Sequence, residues 1–250
     1  MATRKEINKQ LINDANSVIE NAFESTENYT DWLNYMLDCP RLSVNNMAIL
    51  HSKYSHPIPK TKKQWESLGY KVTVPLKEYT YLLRPNKYDG FYEHGQWTSY
   101  KKATKEQKKA IERGEIKRVQ GISYVPYFTF DISQTNASEE DILLQSEELI
   151  PKNYEFKEVC ENYAMDTQDV INFIKNEIKL YEKDNDIKKE YIPMYEAGIM
   201  YLATHRLGFD AKVSNFYLLH ELDKNQLSEC KRIMRLMLMD SDSIVDDLMK

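Results

Sequence analysis

Apolar residues recur at three- and four-residue spacing through residues 5–23. Ile7, Leu11, Ala15, Val18 and Ala22 line one side of a helix, and Ile12 and Ile19 widen the stripe. Trp32, Leu33, Tyr35, Met36 and Leu37 predict a short second helix, stopped at Pro40. Ser43 suits the N-cap of a third, from Asn45 to about Lys53. Pro57 and Pro59 then impose an extended loop. Thr61 caps a short helix carrying Trp65, which Gly69 ends.

The period then shortens to two. Val72, Val74 and Leu76 alternate, as do Tyr79, Tyr81 and Leu83 after Lys77-Glu78, the pattern of a hairpin over Tyr70–Leu83. Pro75 confines its strand to an edge or a bulge. Residues 86–122 read as an insertion with scattered glycines and a lysine-rich helix from Ala103 to Arg113. Gly121 to Ile132 returns to a strand rich in aromatics, and residues 135–152 read as an acidic linker with a short helix.

The last hundred residues are helical in pattern. Asp166 or Thr167 caps a helix holding Val170, Ile171, Phe173, Ile174 and Ile178. A second spans about Tyr191 to Leu207 and is closed by Gly208. A third spans about Asp223 to Met239, with Leu227, Cys230, Ile233, Met234 and Met237 on one face. Asp240-Ser241 then starts a final turn or short helix. The pattern predicts an α+β chain: a domain over residues 1–135 with a small curved antiparallel sheet and flanking helices, and a mainly helical domain over 150–250.

Charge changes this picture. The net charge is only -5, yet residues 41–130 carry 17 basic and 7 acidic side chains, and residues 131–250 carry 14 and 25. A basic block beside an acidic one is a local footprint that the total hides. No apolar run reaches the length of a membrane span, and the start of the chain lacks the apolar core of a signal peptide. Three widely spaced cysteines, Cys39, Cys160 and Cys230, indicate neither a disulfide framework nor a zinc knuckle. These features lead us to expect a cytoplasmic protein with no membrane partner.

The basic block also interleaves aromatics, as single-stranded nucleic acid requires: cations for phosphates and rings for stacked bases. Basic candidates are Lys77, Arg84, Lys87, Lys101, Lys102, Lys105, Lys108, Lys109, Lys117 and Arg118. Aromatic candidates are Tyr79, Tyr81, Tyr88, Phe91, Tyr92, Trp97, Tyr100, Tyr124 and Tyr127. The leading set is Asn46, Lys77, Tyr79, Tyr81, Arg84, Lys87, Trp97, Lys101, Lys102, Arg118, Tyr124 and Tyr127. Large rings also fill cores, a lysine run also makes a solvated helix face, and an asparagine at position 46 also serves to fix a neighbouring loop.

The order Leu42-Ser43-Val44-Asn45-Asn46, Trp65-Glu66-Ser67-Leu68-Gly69-Tyr70-Lys71-Val72, Arg84-Pro85 and Phe130-Asp131-Ile132-Ser133-Gln134-Thr135 resembles the N-terminal domain of the ArdC-like antirestriction proteins. After Val72 the chain has Thr73-Val74-Pro75 where that family has a lysine-glycine turn. The resemblance implies single-stranded-DNA binding in the service of a plasmid or other mobile element entering a new host, as in conjugation. It also implies that Trp65 is core and that Asp131, Ser133, Gln134 and Thr135 brace a strand end.

Longer relatives add a zinc-peptidase-like domain marked by His-Glu-x-x-His, two imidazoles on one face of a helix with a glutamate base. Here His220-Glu221 is followed by Leu222-Asp223-Lys224, so the second histidine is a lysine. Tyr195-Glu196-Ala197, Leu202–Asp210, Ser214-Asn215-Phe216-Tyr217 and Leu227–Ile233 resemble the downstream part of that domain, in which Glu196 would be the third ligand. The resemblance therefore implies a degenerate peptidase scaffold with no metal, no cofactor and no catalytic residue. Cys39 with His51 or His56 is a thiol–imidazole alternative that only geometry can decide. A reading from another class is inhibition of a host defence nuclease, of the restriction or CRISPR type, by the acidic half acting on a basic channel.

Overall fold

The computed structural model describes residues 3–93, 95–210 and 222–250. In chain order its first elements are α1 (Arg4–Ala22), α2 (Thr26–Asp38), α3 (Val44–His51), α4 (Lys62–Ser67), β1 (Thr80–Glu93), β2 (Gln96–Ser99), α5 (Lys105–Glu112) and β3 (Arg118–Thr129). Then follow α6 (Glu139–Leu149), α7 (Phe156–Tyr163), α8 (Thr167–Asp184), α9 (Ile192–Arg206) and α10 (Lys224–Leu248). The fold is α+β, as expected. Among the described residues, no helix is long and apolar enough to cross a membrane.

The backbone gathers into two compact units that cut across chain order. The smaller comprises Met1–Leu11 and Tyr81–Phe128, and the larger comprises Ile12–Thr80 and Thr129–Lys250. This differs from a division at residues 136–150. In the larger unit α2 packs on α9, and α3 packs on α10, so residues before 135 share a core with residues after 150.

That core is built on α9. It is buried nearly all round, through Met194, Tyr195, Ile199, Leu202 and Ala203, as suits a central helix. It lies against α10, α8 and α2. Gly198 is where α9 meets α10, since a Cβ there would collide with the Met237 side chain. Leu227, Ile233, Met234, Met237, Ile244 and Val245 of α10 are buried, each worth ~1.5–3 kcal/mol relative to exposure.

The local stops and starts are chemical. Ser43, Thr61, Asp166 and Asp223 each cap the helix that follows by accepting backbone N–H groups. Gly69 and Gly208 follow helix ends with φ of +90° and +78°. Helix α10 does not stop at Met239. It continues to Leu248 because Asp240 and Ser241 turn inward: Asp240 accepts from Tyr195 Oη at 2.5 Å and Asn185 Nδ2 at 2.8 Å, and Ser241 Oγ donates to the Leu238 carbonyl at 3.0 Å.

A buried charge group ties distant segments together. Asp242 of α10 accepts from Arg41 Nε and Nη2, both at 2.7 Å, and from Arg206 Nη1 at 2.5 Å. Arg206, at the end of α9, is 2% exposed. Arg41 also donates to the Met36 carbonyl, and Arg206 to the Lys152 carbonyl at 3.3 Å. The Arg206 carbonyl accepts from Tyr154 N at 2.7 Å.

A second cluster of the larger unit holds Ile58, Trp65, Phe130 and Ile132, with Tyr70, Val72, Tyr79 and Ile142 packed against it. Trp65 Nε1 donates to the Phe130 carbonyl at 2.8 Å, and Lys60 and Phe130 exchange backbone hydrogen bonds. The hairpin expected over Tyr70–Leu83 is absent from this unit. Val72 makes an isolated bridge to Thr135, and Leu76–Glu78 is a single 3₁₀ turn. The short helix expected within residues 135–152 is α6, and it is docked rather than a free linker, by Tyr70 Oη to Asp141 Oδ1 at 2.9 Å and Lys60 Nζ to Gln145 Oε1 at 2.8 Å.

The smaller unit holds the sheet, three strands in the order β2-β1-β3. Strands β1 and β2 pair antiparallel, with Gly90 opposite Ser99 and Tyr92 opposite Trp97. Residues expected to form an insertion thus supply much of β1 and all of β2. Pro85 lies outside the stretch Gly90–Glu93 that pairs with β2, so its missing N–H costs no bond on that edge of β1.

Three outcomes follow. Asp242→Ala leaves the buried Arg206 guanidinium without its anion, and a loss of about 3–5 kcal/mol is expected in denaturant unfolding. Arg41→Ala, at a partly exposed site, should cost less. Fragment 1–135 should fail to fold alone, because α2 and α3 would lose α9 and α10; cooperative unfolding of that fragment would contradict the shared core.

The third concerns Asp240, whose carboxyl is pushed up by burial, with hydrogen bonds from Tyr195 and Asn185 opposing. A carboxyl raised in the folded state stabilises most at low pH. That contribution is lost as pH climbs from the unfolded value of about 3.9 through the raised folded one. Asp240→Asn should therefore equal or exceed the wild type in stability at pH 7, and the difference should shrink or reverse on acidification. A constant difference across pH would contradict this.

Candidate nucleic-acid interface

Side chains along a strand alternate between faces, so Arg84, Asn86, Tyr88, Gly90 and Tyr92 of β1 share one face of the sheet. The contacts agree. Asn86 Nδ2 donates to Ser123 Oγ at 3.4 Å, and the Arg84 guanidinium lies 5.8 Å from the centre of the Tyr127 ring. Tyr88 lies over Gly121, where a Cβ would sit 2.6 Å from its ring. Trp97 of β2 lies over Gly90, where a Cβ would collide with the indole.

Both glycines are therefore cut-outs that let a large ring rest on the backbone. The Trp97 ring stands at 84° to Tyr88, with centroids 5.6 Å apart, and at 70° to Tyr92, at 5.2 Å. These are edge-to-face pairs, each worth ~0.5–1.5 kcal/mol beyond area burial. Tyr92 is 60% exposed and Tyr88 36%, while Trp97 is half-buried between them.

The opposite face carries Tyr81, Lys87 and Asp89 of β1. The Tyr81 ring packs on Phe128 at 4.9 Å. Arg118 Nη2 donates to Asp89 Oδ2 at 2.5 Å, and its guanidinium also covers the Tyr100 ring at 4.6 Å. Tyr124 and Ile122 of β3 are exposed, as is Phe128. Helix α5 is tied to β1 through Gln107 Nε2, which donates to Glu93 Oε2 at 2.6 Å. Lys101 and Lys102 sit exposed on the 3₁₀ turn Tyr100–Lys102, directly after β2.

Of the residues expected to contact a nucleic acid, the smaller unit brings together nine. Arg84, Trp97 and Tyr127 lie on the first face. Tyr81, Lys87, Arg118 and Tyr124 lie on the second, and Lys101 and Lys102 follow β2. Among the described residues, no carboxylate pairs with Lys87, Lys101 or Lys102, whereas Arg118 is engaged by Asp89. The Tyr127 phenol is raised by burial, with Arg84 opposing, so its hydroxyl stays neutral and able to donate.

The other three lie in the larger unit. Asn46 is 6% exposed on α3, its backbone N–H donating to the Ser43 cap at 3.4 Å. Tyr79 packs on the Trp65 cluster, and Lys77 is exposed on the Leu76–Glu78 turn. Tyr88 and Tyr92 stand with Trp97 although the leading set omitted them. Gly90 beside alternating aromatics was the signal, since a strand glycine marks a close approach.

The residues reserved for other chemistry are also placed. His220, Glu221 and the stretch 214–217 lie outside the described residues. Glu196 is half-buried on α9, its carboxyl raised by burial and then by Glu182, with Lys179 opposing. Among the described residues, no three His, Cys, Asp or Glu side chains converge as a metal site would need. Burial pushes the Cys39 thiol up to about 12, the reverse of an activated nucleophile. His51 stacks edge-on against Tyr35 and Trp32.

The smaller unit carries 13 Lys and Arg against 6 Asp and Glu, and the larger carries 21 against 33. The positive charge of the chain is thus concentrated where the exposed rings are. No family model, no curated protein and no solved structure matches this chain.

Proposed function

We propose that this chain is a non-enzymatic, sequence-tolerant single-stranded-DNA-binding protein and that the small sheet is its binding surface. The observation that carries the reading is the coincidence, in one compact unit, of a 13-to-6 excess of basic side chains with exposed tyrosines on a sheet. Cations follow a phosphate backbone, and rings accept bases of any identity. The resemblance to the ArdC-like antirestriction proteins supplies the setting: a protein of a plasmid or other mobile element, acting in the cytoplasm to shield incoming DNA from host defence.

A second reading rests on the larger unit, where 33 acidic side chains face 21 basic ones. Such a surface suits a basic nucleic-acid channel on a defence nuclease, because complementary potentials steer encounter.

The two readings separate in one titration. Single-stranded oligonucleotides should bind more tightly than duplex, and affinity should fall with salt by about 0.7 log unit per log unit of salt for each phosphate contact. Replacing Lys87, Lys101 and Lys102 with Gln should reduce that slope by about 2 if all three contact phosphates. Equal binding to duplex, or no binding at low salt, would overturn the first reading. A chain that ignores DNA yet blocks cleavage by a purified restriction or CRISPR nuclease would establish the second.

A further inference from the structure

The three rings on the first face of the sheet differ in what they can offer a base. Tyr92 and Tyr88 are exposed, and Trp97 is wedged between them on the bare backbone of Gly90. Edge-to-face contact on both sides fixes the indole, and the indole in turn fixes both tyrosines. Tyr88 is held from below as well, because its ring rests on Gly121. Because both tyrosine rings contact the same indole, at 5.6 and 5.2 Å, their centres lie no more than about 11 Å apart, a distance that an extended single strand spans with a few nucleotides.

Arg84 lies on the same face, one alternation step beyond Asn86, with its charged group steadied by the Tyr127 ring at 5.8 Å. The opposite face also carries the exposed Tyr124, Phe128 and Lys87, but its guanidinium, Arg118, already answers Asp89; what sets the first face apart is that its two exposed tyrosines are braced by one shared indole. The first face therefore presents two open rings and a steadied cation in a row.

We infer that Tyr88 and Tyr92 are the base-stacking residues of the site, and that Trp97 is a positioning residue which holds them apart and upright rather than a stacking platform itself. This rests on the single-stranded-DNA reading above and specifies which face and which rings serve it. It makes Gly90 part of the site, since a Cβ there would meet the indole at 2.3 Å and the Thr98 carbonyl at 2.5 Å.

Binding is read from Trp97 emission in the wild type and in the tyrosine, Arg84 and Gly90 variants, and from the anisotropy of a dye-labelled oligonucleotide in the Trp97 variants. Trp32 and Trp65 are 1% and 0% exposed, so of the three tryptophans Trp97 is the one a ligand can perturb. The probe is an oligothymidylate of about fifteen nucleotides, within the span that one small binding fold covers. Tyr92→Ala and Tyr88→Ala should each weaken binding by roughly five-fold or more, the least expected for one lost stack. Their salt slope should stay unchanged because phosphate contacts remain. Arg84→Ala should lower the slope by about 0.7 instead.

Trp97→Ala should lose about as much as the two tyrosine substitutions together, and Trp97→Phe should recover most of it. Gly90→Ala should lose at least as much as Trp97→Ala with Trp97 still present, because its Cβ meets the Thr98 carbonyl of the paired strand as well as the indole. If the wild type binds oligothymidylate but both tyrosine variants bind equally well, the stacking assignment fails and the DNA-binding reading stands. If Trp97→Phe is as weak as Trp97→Ala, the indole is itself a platform and the positioning role is wrong. If the wild type does not bind at all, the broader reading fails first.

Discussion

The larger unit depends on one carboxylate. Asp242 sits between two guanidiniums, one of them on a residue only 2% exposed. Burying a charge is costly, and an isolated buried arginine is not sustainable without an anion at hydrogen-bonding distance. The arrangement therefore forces α10 to bring Asp242 to the end of α9, and forces the turn after α2 to bring Arg41 to both. The same arginine reaches the Lys152 carbonyl, and its own carbonyl holds Tyr154. Gly208 belongs to this corner, because a Cβ there would run into the Tyr154 carbonyl. Four segments distant in sequence are thus committed to one point, which is why the chain cannot be divided between its first and last thirds.

The sheet is accommodated as an excursion from that framework. Thr80 and Thr129 both belong to the larger unit, and Thr129 Oγ1 donates to the Thr80 carbonyl at 2.9 Å. The stretch Tyr81–Phe128 is therefore bracketed by one hydrogen-bonded pair, while α1 runs from the smaller unit into the larger at Leu11–Ile12. Charge follows the same division. The excursion and the first turns of α1 hold a basic excess, and the helical framework holds the acidic one. A mildly acidic total, taken alone, would have argued against a polyanionic ligand. The segregated charge argues the other way, because a ligand responds to the field of the surface it meets.

What could be read in advance was what the chain decides locally. Ser43, Thr61, Asp166 and Asp223 cap helices through their own side chains, so neighbouring residues suffice to place those starts. The end of α10 was misplaced for the complementary reason. Asp240 and Ser241 are good cap residues in isolation, but tertiary partners, Tyr195 and Asn185 for the aspartate, claimed the carboxylate. The strands were hardest. Alternation at Val72, Val74 and Leu76 is real, but Val72 and Val74 feed the Trp65 cluster, Leu76 points to solvent, and none of them lies in a strand. β1 hides its length behind Pro85 and Gly90, both poor strand residues, which make sense only once the short reach of β2 and the Trp97 indole are known. The short helix expected within residues 135–152 is present as α6, but its docking could not be read from its acidic, polar sequence. Tyr70 and Lys60, some seventy to eighty-five residues earlier, anchor it.

The same comparison separates two kinds of argument about function. The stretch Phe130–Thr135 carries much of the family resemblance, and every part of it is occupied in holding the larger unit together. Phe130 is core and accepts from Trp65. Asp131 accepts from Ile58 N at 2.8 Å and Ser133 N at 3.0 Å. Gln134 joins Tyr54 to the Glu78 carbonyl. Trp65 and Asn46 are likewise buried. The residues that resemble a known family are therefore mostly a latch, and a latch speaks to how a chain folds. The residues that could touch DNA, namely Arg84, Tyr88, Tyr92, Trp97, Lys101 and Lys102, lie in the excursion and, Arg84 apart, outside the resembling motifs. The binding proposal accordingly stands or falls on the sheet face, with the latch supplying only the frame from which that face is built.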